Sequence, residues 1–184
     1  MGEAKHLDLR EVAEIKCQAA LHIMQIDFLA DHPEFIAPVV QWHHEEWAFL
    51  RPGDTIEART ARLIAECGRG EIPTTFVAFT GSTVIGSATL LAHDMDTHMD
   101  LTPWLGGVYV ASDYRRRGIG SILVGRVVEG AARLGVRRLY LYTPSAEQMY
   151  SRLGWLAVER THYHGADVVV MSYDVGPDIV RTLP

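Results

Sequence analysis

The chain has 184 residues, 48% of them apolar and 22% charged, enough to bury the core of a single globular domain. Its formal net charge of −6 excludes a general nucleic-acid binder, and no apolar run approaches the roughly 18 residues of a membrane-spanning helix. Cys17 and Cys67 make neither a disulfide framework nor a zinc knuckle, and no basic-then-apolar signal peptide precedes them, so a cytoplasmic location is the default expectation.

Residues 1–23 carry Leu7, Val12, Ile15 and Ala19 at loosely helical steps and read as an N-terminal extension. The domain proper is expected over 24–174, with 175–184 as a tail. It opens on a strand at 24–29. Asp31, Pro33 and Glu34 then predict a capped helix start, with the helix reaching Trp47. Arg51-Pro52-Gly53-Asp54 breaks it, and Asp54 or Thr55 caps a second helix. Pro73 precedes a strand over 75–79, which Gly81-Ser82 turns into a partner over 84–91. A polar loop over 93–103 carries Asp94, Asp96, His98 and Asp100. Beyond it lies an apolar strand ending at Val110, then a helix with Ile122, Leu123, Val127, Ala131 and Leu134 on one stripe and Gly135 at its end. A strand at 138–142, a short helix capped by Ser145 and closed by Gly154, and strands at 155–163 and 167–174 complete the order β-α-α-β-β-β-α-β-α-β-β.

Where that central strand becomes a helix, the chain reads Arg115-Arg116-Arg117-Gly118-Ile119-Gly120-Ser121. The first helical turn exposes N–H groups with no intrahelical partner, and two glycines let an anion approach them without a Cβ in the way. A phosphate suits such a turn, and three arginines stand beside it. Other phosphate binders fail on particular residues. Gly-x-x-x-x-Gly-Lys-Ser/Thr is absent, and Leu123 stands where a dinucleotide fingerprint requires its third glycine. His43-His44 and His162-x-His164 have no convincing third ligand nearby, so no metal is expected.

Arg115-Arg116-Arg117-Gly118-Ile119-Gly120 resembles the Arg/Gln-x-x-Gly-x-Gly/Ala signature of the GNAT family of N-acetyltransferases. Residues 143–155, with Ala146, Tyr150, Arg152, Gly154 and Trp155 in register, are similar to a second segment of that family, in which Thr143 replaces the usual Asn. The resemblance implies a single-domain α/β fold, a mixed and mostly antiparallel sheet flanked by helices, with splayed central strands. It implies acetyl-CoA as cosubstrate, with the pyrophosphate on the N–H groups of 116–121, Arg115, Arg116 and Arg117 alongside, and Gly118, Ile119, Gly120 and Ser121 forming the turn. Val108, Tyr109 and Val110 would face the pantetheine and the thioester oxygen through their backbones, with Thr143, Ala146 and Tyr150 beyond.

Acetyl transfer to an amine needs a base for the ammonium proton, donors for the carbonyl oxygen, and an acid for the departing sulfur. Tyr150 matches the family's acid. The family draws its base from the end of the first helix or from the loop before the central strand, which here offers Glu46 and Asp96. Trp42, Trp47 and Trp104 are candidate walls for the acceptor. That acceptor is an amine, small molecule or peptide N-terminus, and the acidic loop suits a cationic one. A homodimer through the last strands, common in the family, is an open expectation. The alternative is a non-catalytic acyl-CoA sensor or partner-binding module.

Overall fold

The computed structural model describes residues 24–51 and 53–176. The helical pattern within 1–23 and the end of the expected tail, 177–184, lie outside the described residues. The elements are β1 (Gln25–Phe28), α1 (Ile36–Trp47), α2 (Ile56–Ala65), β2 (Thr74–Thr80), β3 (Thr83–Leu91) and β4 (Trp104–Val110), followed by α3 (Ile119–Arg133), β5 (Arg138–Thr143), α4 (Glu147–Arg152), β6 (Leu156–Tyr163) and β7 (Ala166–Asp174). They follow the order expected from the sequence.

The strands form one 7-stranded sheet in the order β1-β2-β3-β4-β5-β7-β6. Every neighbouring pair is antiparallel except β4 and β5, which are joined by the α3 crossover and therefore run parallel. Both faces are covered. Phe76 and Ala78 of β2 pack with Leu123, Val127 and Ala131 of α3, while Val77 and Phe79, pointing the other way, pack with Val39 and Val40 of α1 and Leu63 of α2. Val175, at the start of the expected tail, donates its N–H to Arg137 O at 2.9 Å and joins the core.

Two of the expected caps are corrected. Asp31 does not start α1: short 3-10 turns occupy Leu29–Asp31 and Pro33–Phe35, and the Asp31 carboxylate accepts from Arg69 Nε at 2.7 Å. Ser145 does not cap α4. The N-cap is Ala146, with no side-chain cap, and Thr143 Oγ1 accepts the N–H groups of Ser145 and Ala146 at 3.3 and 2.9 Å in the turn before the helix. Thr55 does cap α2, accepting from Ala58 N at 3.2 Å.

A buried polar chain ties the two α1-side helices to the middle of the sheet. Glu66 accepts from both terminal nitrogens of Arg59, at 3.2 and 2.9 Å, and Arg59 also donates to His43 Nδ1 at 2.8 Å. A guanidinium has no acceptor, so Nδ1 must be the lone-pair nitrogen of His43 and Nε2 carries the hydrogen. Nε2 then donates to Ser87 Oγ at 2.9 Å, and Ser87 donates to the Gly107 carbonyl at 3.1 Å. Burial and the Arg59 charge hold His43 neutral, its pKa lowered to about 3. The unfolded chain binds a proton at this imidazole below its usual pKa of 6.5 and the folded one does not, so this contribution to stability is present above that pH and lost as pH falls toward 3.

We expect the stability advantage of wild type over His43→Phe to shrink on acidification from pH 6.5 by up to about 1.4 kcal/mol per pH unit. Denaturant midpoints measured at several pH values check this, because titrations common to both proteins cancel; a pH-independent difference would mean that His43 does not stay neutral.

Candidate active site

A cavity of about 410 Å³ opens where the end of α1, the 48–54 segment, the loop before β4 and the ends of β4 and β5 converge. Its middle wall is β4. The register of β3 against β4 shifts between Ser87 and Thr89, leaving Gly107 and Val108 without a partner in that ladder, and β4 meets β5 only at Trp104 opposite Tyr140. Gly107 adopts φ +58 at this bulge, a conformation that costs a glycine little. Ser87 holds its carbonyl on the β3 side. In a trans peptide the N–H points opposite to the carbonyl, so the Val108 N–H is turned away from β3, and both residues line the cavity.

Asp94 lies against the same stretch. A Cβ on Gly106 would come within 2.6 Å of Asp94 Oδ2, so the bare glycine backbone is what admits the carboxyl. The Asp94 side chain retains 18% exposure, and its nearest cation, Arg51, stands 3.9 Å away. Burial raises its pKa to about 6; Arg51 and Arg59 work against that shift and Glu66 works with it. Tyr150, nearly buried, lines the cavity with its ring edge-on to Trp155 at 6.0 Å. Burial, with the Asp94 charge as a smaller cause, keeps its phenol above the usual pKa, so it carries its proton at neutral pH.

Of the two base candidates from the sequence, Glu46 lines the cavity, half-exposed and 3.6 Å from Arg115. Asp96 is not among the lining residues: 68% exposed, it pairs with His164 at 3.4 Å. Met95, buried with Trp104 and Tyr163, anchors the loop between them and sends its neighbours to different sides. His98 fastens the loop further, 3.0 Å from Glu159 on β6.

The turn after β4 leads away from this cavity. Gly118, at φ +80, is the N-cap of α3 without any side-chain cap, and the N–H groups of Ile119, Gly120 and Ser121 have no intrahelical acceptor. A Cβ on Gly118 would meet nothing within 4 Å, and one on Gly120 only ordinary contacts at 3.7 and 3.9 Å. The space over these amides is therefore open, and a pyrophosphate fits the donor set. Arg116 sits at φ +61. The other two arginines have partners of their own: Arg115 donates to Val110 O at 2.9 Å and lies 5.2 Å over the Tyr109 ring, and Arg117 lies 5.8 Å over Tyr114. Tyr109 stacks on Trp42 at 5.1 Å, with Trp47 edge-on at 6.3 Å. Thr143 and Ala146 line the cavity on the β5 side, and the Thr143 hydroxyl oxygen already accepts two turn N–H groups.

Sequence reasoning missed Arg51, Arg59 and Glu66, which no spacing signals, and it grouped Asp94 with its loop neighbours. His43 enters the sequence reading only as half of a His-His pair without a third metal ligand.

The sequence profile of the acetyltransferase (GNAT) family matches residues 37–155. No curated protein matches the chain. Among solved structures, a GNAT acetyltransferase from Streptococcus pneumoniae superposes with TM-score 0.61 at 20% identity, covering 83% of this chain and 99% of that one. The yncA structure from Salmonella typhimurium, which contains its cofactor acetyl-CoA, gives TM-score 0.64 at 18% identity over 84% and 95% of the two chains. An aminoglycoside 6'-acetyltransferase type Ii gives 0.65 at 15% identity over 83% and 98%. With the family profile spanning the glycine turn at 118–121 and the bulged β4 strand, the chain belongs to the acetyltransferase (GNAT) family, whose cosubstrate is acetyl-CoA.

Proposed function

We propose that this protein acetylates a primary amine by direct attack on acetyl-CoA, with Asp94 as base and Tyr150 as acid. The observation that carries this reading is that Asp94, Val108, which has no partner in the β3–β4 ladder, and Tyr150 line one cavity. Bound acetyl-CoA supplies the thioester whose acetyl carbon the amine attacks. The amides of Ile119, Gly120 and Ser121 hold its pyrophosphate, with the arginines at 115–117 adding charge around them. The backbones of Val108, Tyr109 and Val110 lie along the arm, which the single register pair between β4 and β5 leaves free on that side. Val108 N–H donates to the carbonyl oxygen as negative charge develops there. Asp94 accepts the ammonium proton, which an amine near pKa 10 otherwise keeps at neutral pH. Tyr150 donates a proton to the departing sulfur. Asp94 suits the base better than Glu46, which is paired with Arg115, or Asp96, which faces His164.

Calorimetric titration with acetyl-CoA tests the cradle. Position 120 is helical and open, so Gly120→Glu should fold normally yet place a carboxylate where the phosphate belongs, with binding lost by about 10²-fold or more. Unchanged affinity would move the cofactor elsewhere.

Asp94 accepts a proton only once its own is lost, so kcat/KM should rise with pH through an apparent pKa near 6. Asp94→Asn should abolish that limb and lower kcat by about 10²-fold or more. An acid limb unchanged in the variant would assign the base to another group.

Tyr150→Phe should lower kcat by about 10²-fold while leaving the acetyl-CoA dissociation constant nearly unchanged. A non-catalytic acyl-CoA module would bind the cofactor yet release no thiol with any amine.

A further inference from the structure

Three of the four acids that line the cavity have an arginine within 3.6 Å. Asp54 is bound by Arg62, Glu66 by Arg59 at 2.9 Å, and Glu46 stands 3.6 Å from Arg115. Such a wall offers no uncompensated carboxylate for a second ammonium, which argues against a polyamine acceptor despite the net charge of the chain. Among the arginines that line the cavity, Arg51 differs from Arg59 and Arg62. Among the described residues, no carboxylate lies within hydrogen-bond distance of it; Asp94, at 3.9 Å, is the nearest. Its side chain is half-exposed and lines the cavity beside the carboxyl that faces Gly106.

We propose that Arg51 is a carboxylate-binding, specificity-determining residue and that the acceptor is a free α-amino acid, its amine at Asp94 and its carboxylate on Arg51. This rests on the reading of Asp94 as the base. The short Arg51–Asp94 separation matches the short separation between ammonium and carboxylate in an α-amino acid, so one zwitterion is met by one opposite charge at each end. The planar guanidinium accepts a carboxylate in the two-pronged manner that favours arginine for such anions. The ammonium gives one proton to Asp94, its nitrogen lone pair forms the bond to the acetyl carbon, and the carbon–sulfur bond breaks. The sulfur takes the Tyr150 proton, and the second proton shed by the nitrogen as it becomes an amide restores the Tyr150 phenol. The products are an N-acetyl amino acid, still carrying its carboxylate, and free coenzyme A. The 410 Å³ of the cavity, shared with the thioester end of the cosubstrate, suits an acceptor of this size.

The test is thiol release at saturating acetyl-CoA with a set of amino acids, their carboxamides, simple alkylamines and diamines, using wild type, Arg51→Gln and Arg51→Lys. At least one amino acid should exceed its own carboxamide by about tenfold or more in kcat/KM, mainly through KM. Arg51→Gln should collapse that ratio toward one, and Arg51→Lys should restore part of it. Carboxamides, alkylamines or diamines used as well as the acids by wild type would overturn the proposal, as would a ratio indifferent to Arg51→Gln. If no amine releases thiol, the transferase reading itself fails. Calorimetric binding of the same amino acids to wild type and Arg51→Gln, with a coenzyme A analogue lacking the thiol, then decides Arg51 separately: affinity lost in the variant supports the site, and equal or absent binding overturns it.

Discussion

The Gly107–Val108 peptide sits at the one place where β4 has no ladder partner on either side, and its orientation is set from behind by Ser87, His43 and Arg59. A strand amide free to face a substrate would ordinarily be free to rotate as well. Here the carbonyl half of the peptide is fixed by a hydrogen-bonded chain that ends in a carboxylate, and the rigid peptide plane transmits that hold to the N–H. Each link depends on its neighbour: burial and the Arg59 charge keep His43 neutral, the Arg59 N–H at Nδ1 sets the tautomer, and the tautomer leaves Ser87 free to donate to Gly107. Removing a member leaves a buried polar group unpartnered, at about 1–3 kcal/mol, on the face of the sheet opposite α3.

The same side of the molecule shows how one acid is made different from its neighbours. Asp94 and Asp96 are two residues apart in one loop, and Met95 between them is the reason they diverge. With Met95 locked into the cluster around Trp104 and Tyr163, one carboxyl is pressed against bare backbone at Gly106 and loses water, while the other keeps its water and an imidazole partner. Environment, not residue type, separates them.

Much of this architecture was legible in the sequence. The element order, the β2–β3 hairpin at Gly81-Ser82 and the strand-to-helix corner at Gly118 follow from local signals of period and turn chemistry, which is why they survive in the structure. The caps at Asp31 and Ser145 failed for different reasons: Arg69 from far along the chain engages Asp31, and α4 starts one residue past Ser145, at an Ala146 N-cap whose N–H is bound by Thr143. The site divided in the same way. The glycine turn at 118–121 is contiguous and could be read from adjacent residues. The polar chain joins positions 43, 59, 66, 87 and 107, and no periodicity links residues brought together only by a sheet and two helices. Arg51 carried no sequence signal, because its meaning lies in what stands opposite it.

That division has an evolutionary consequence. The glycine turn at 118–121 is one short run of backbone opening α3, whereas the cavity draws on α1, Phe49 to Arg51, Asp54 and the loop before β4. Changes in those outer segments alter what the cavity admits without touching that turn. Likeness across the turn therefore predicts a shared cofactor far better than a shared acceptor.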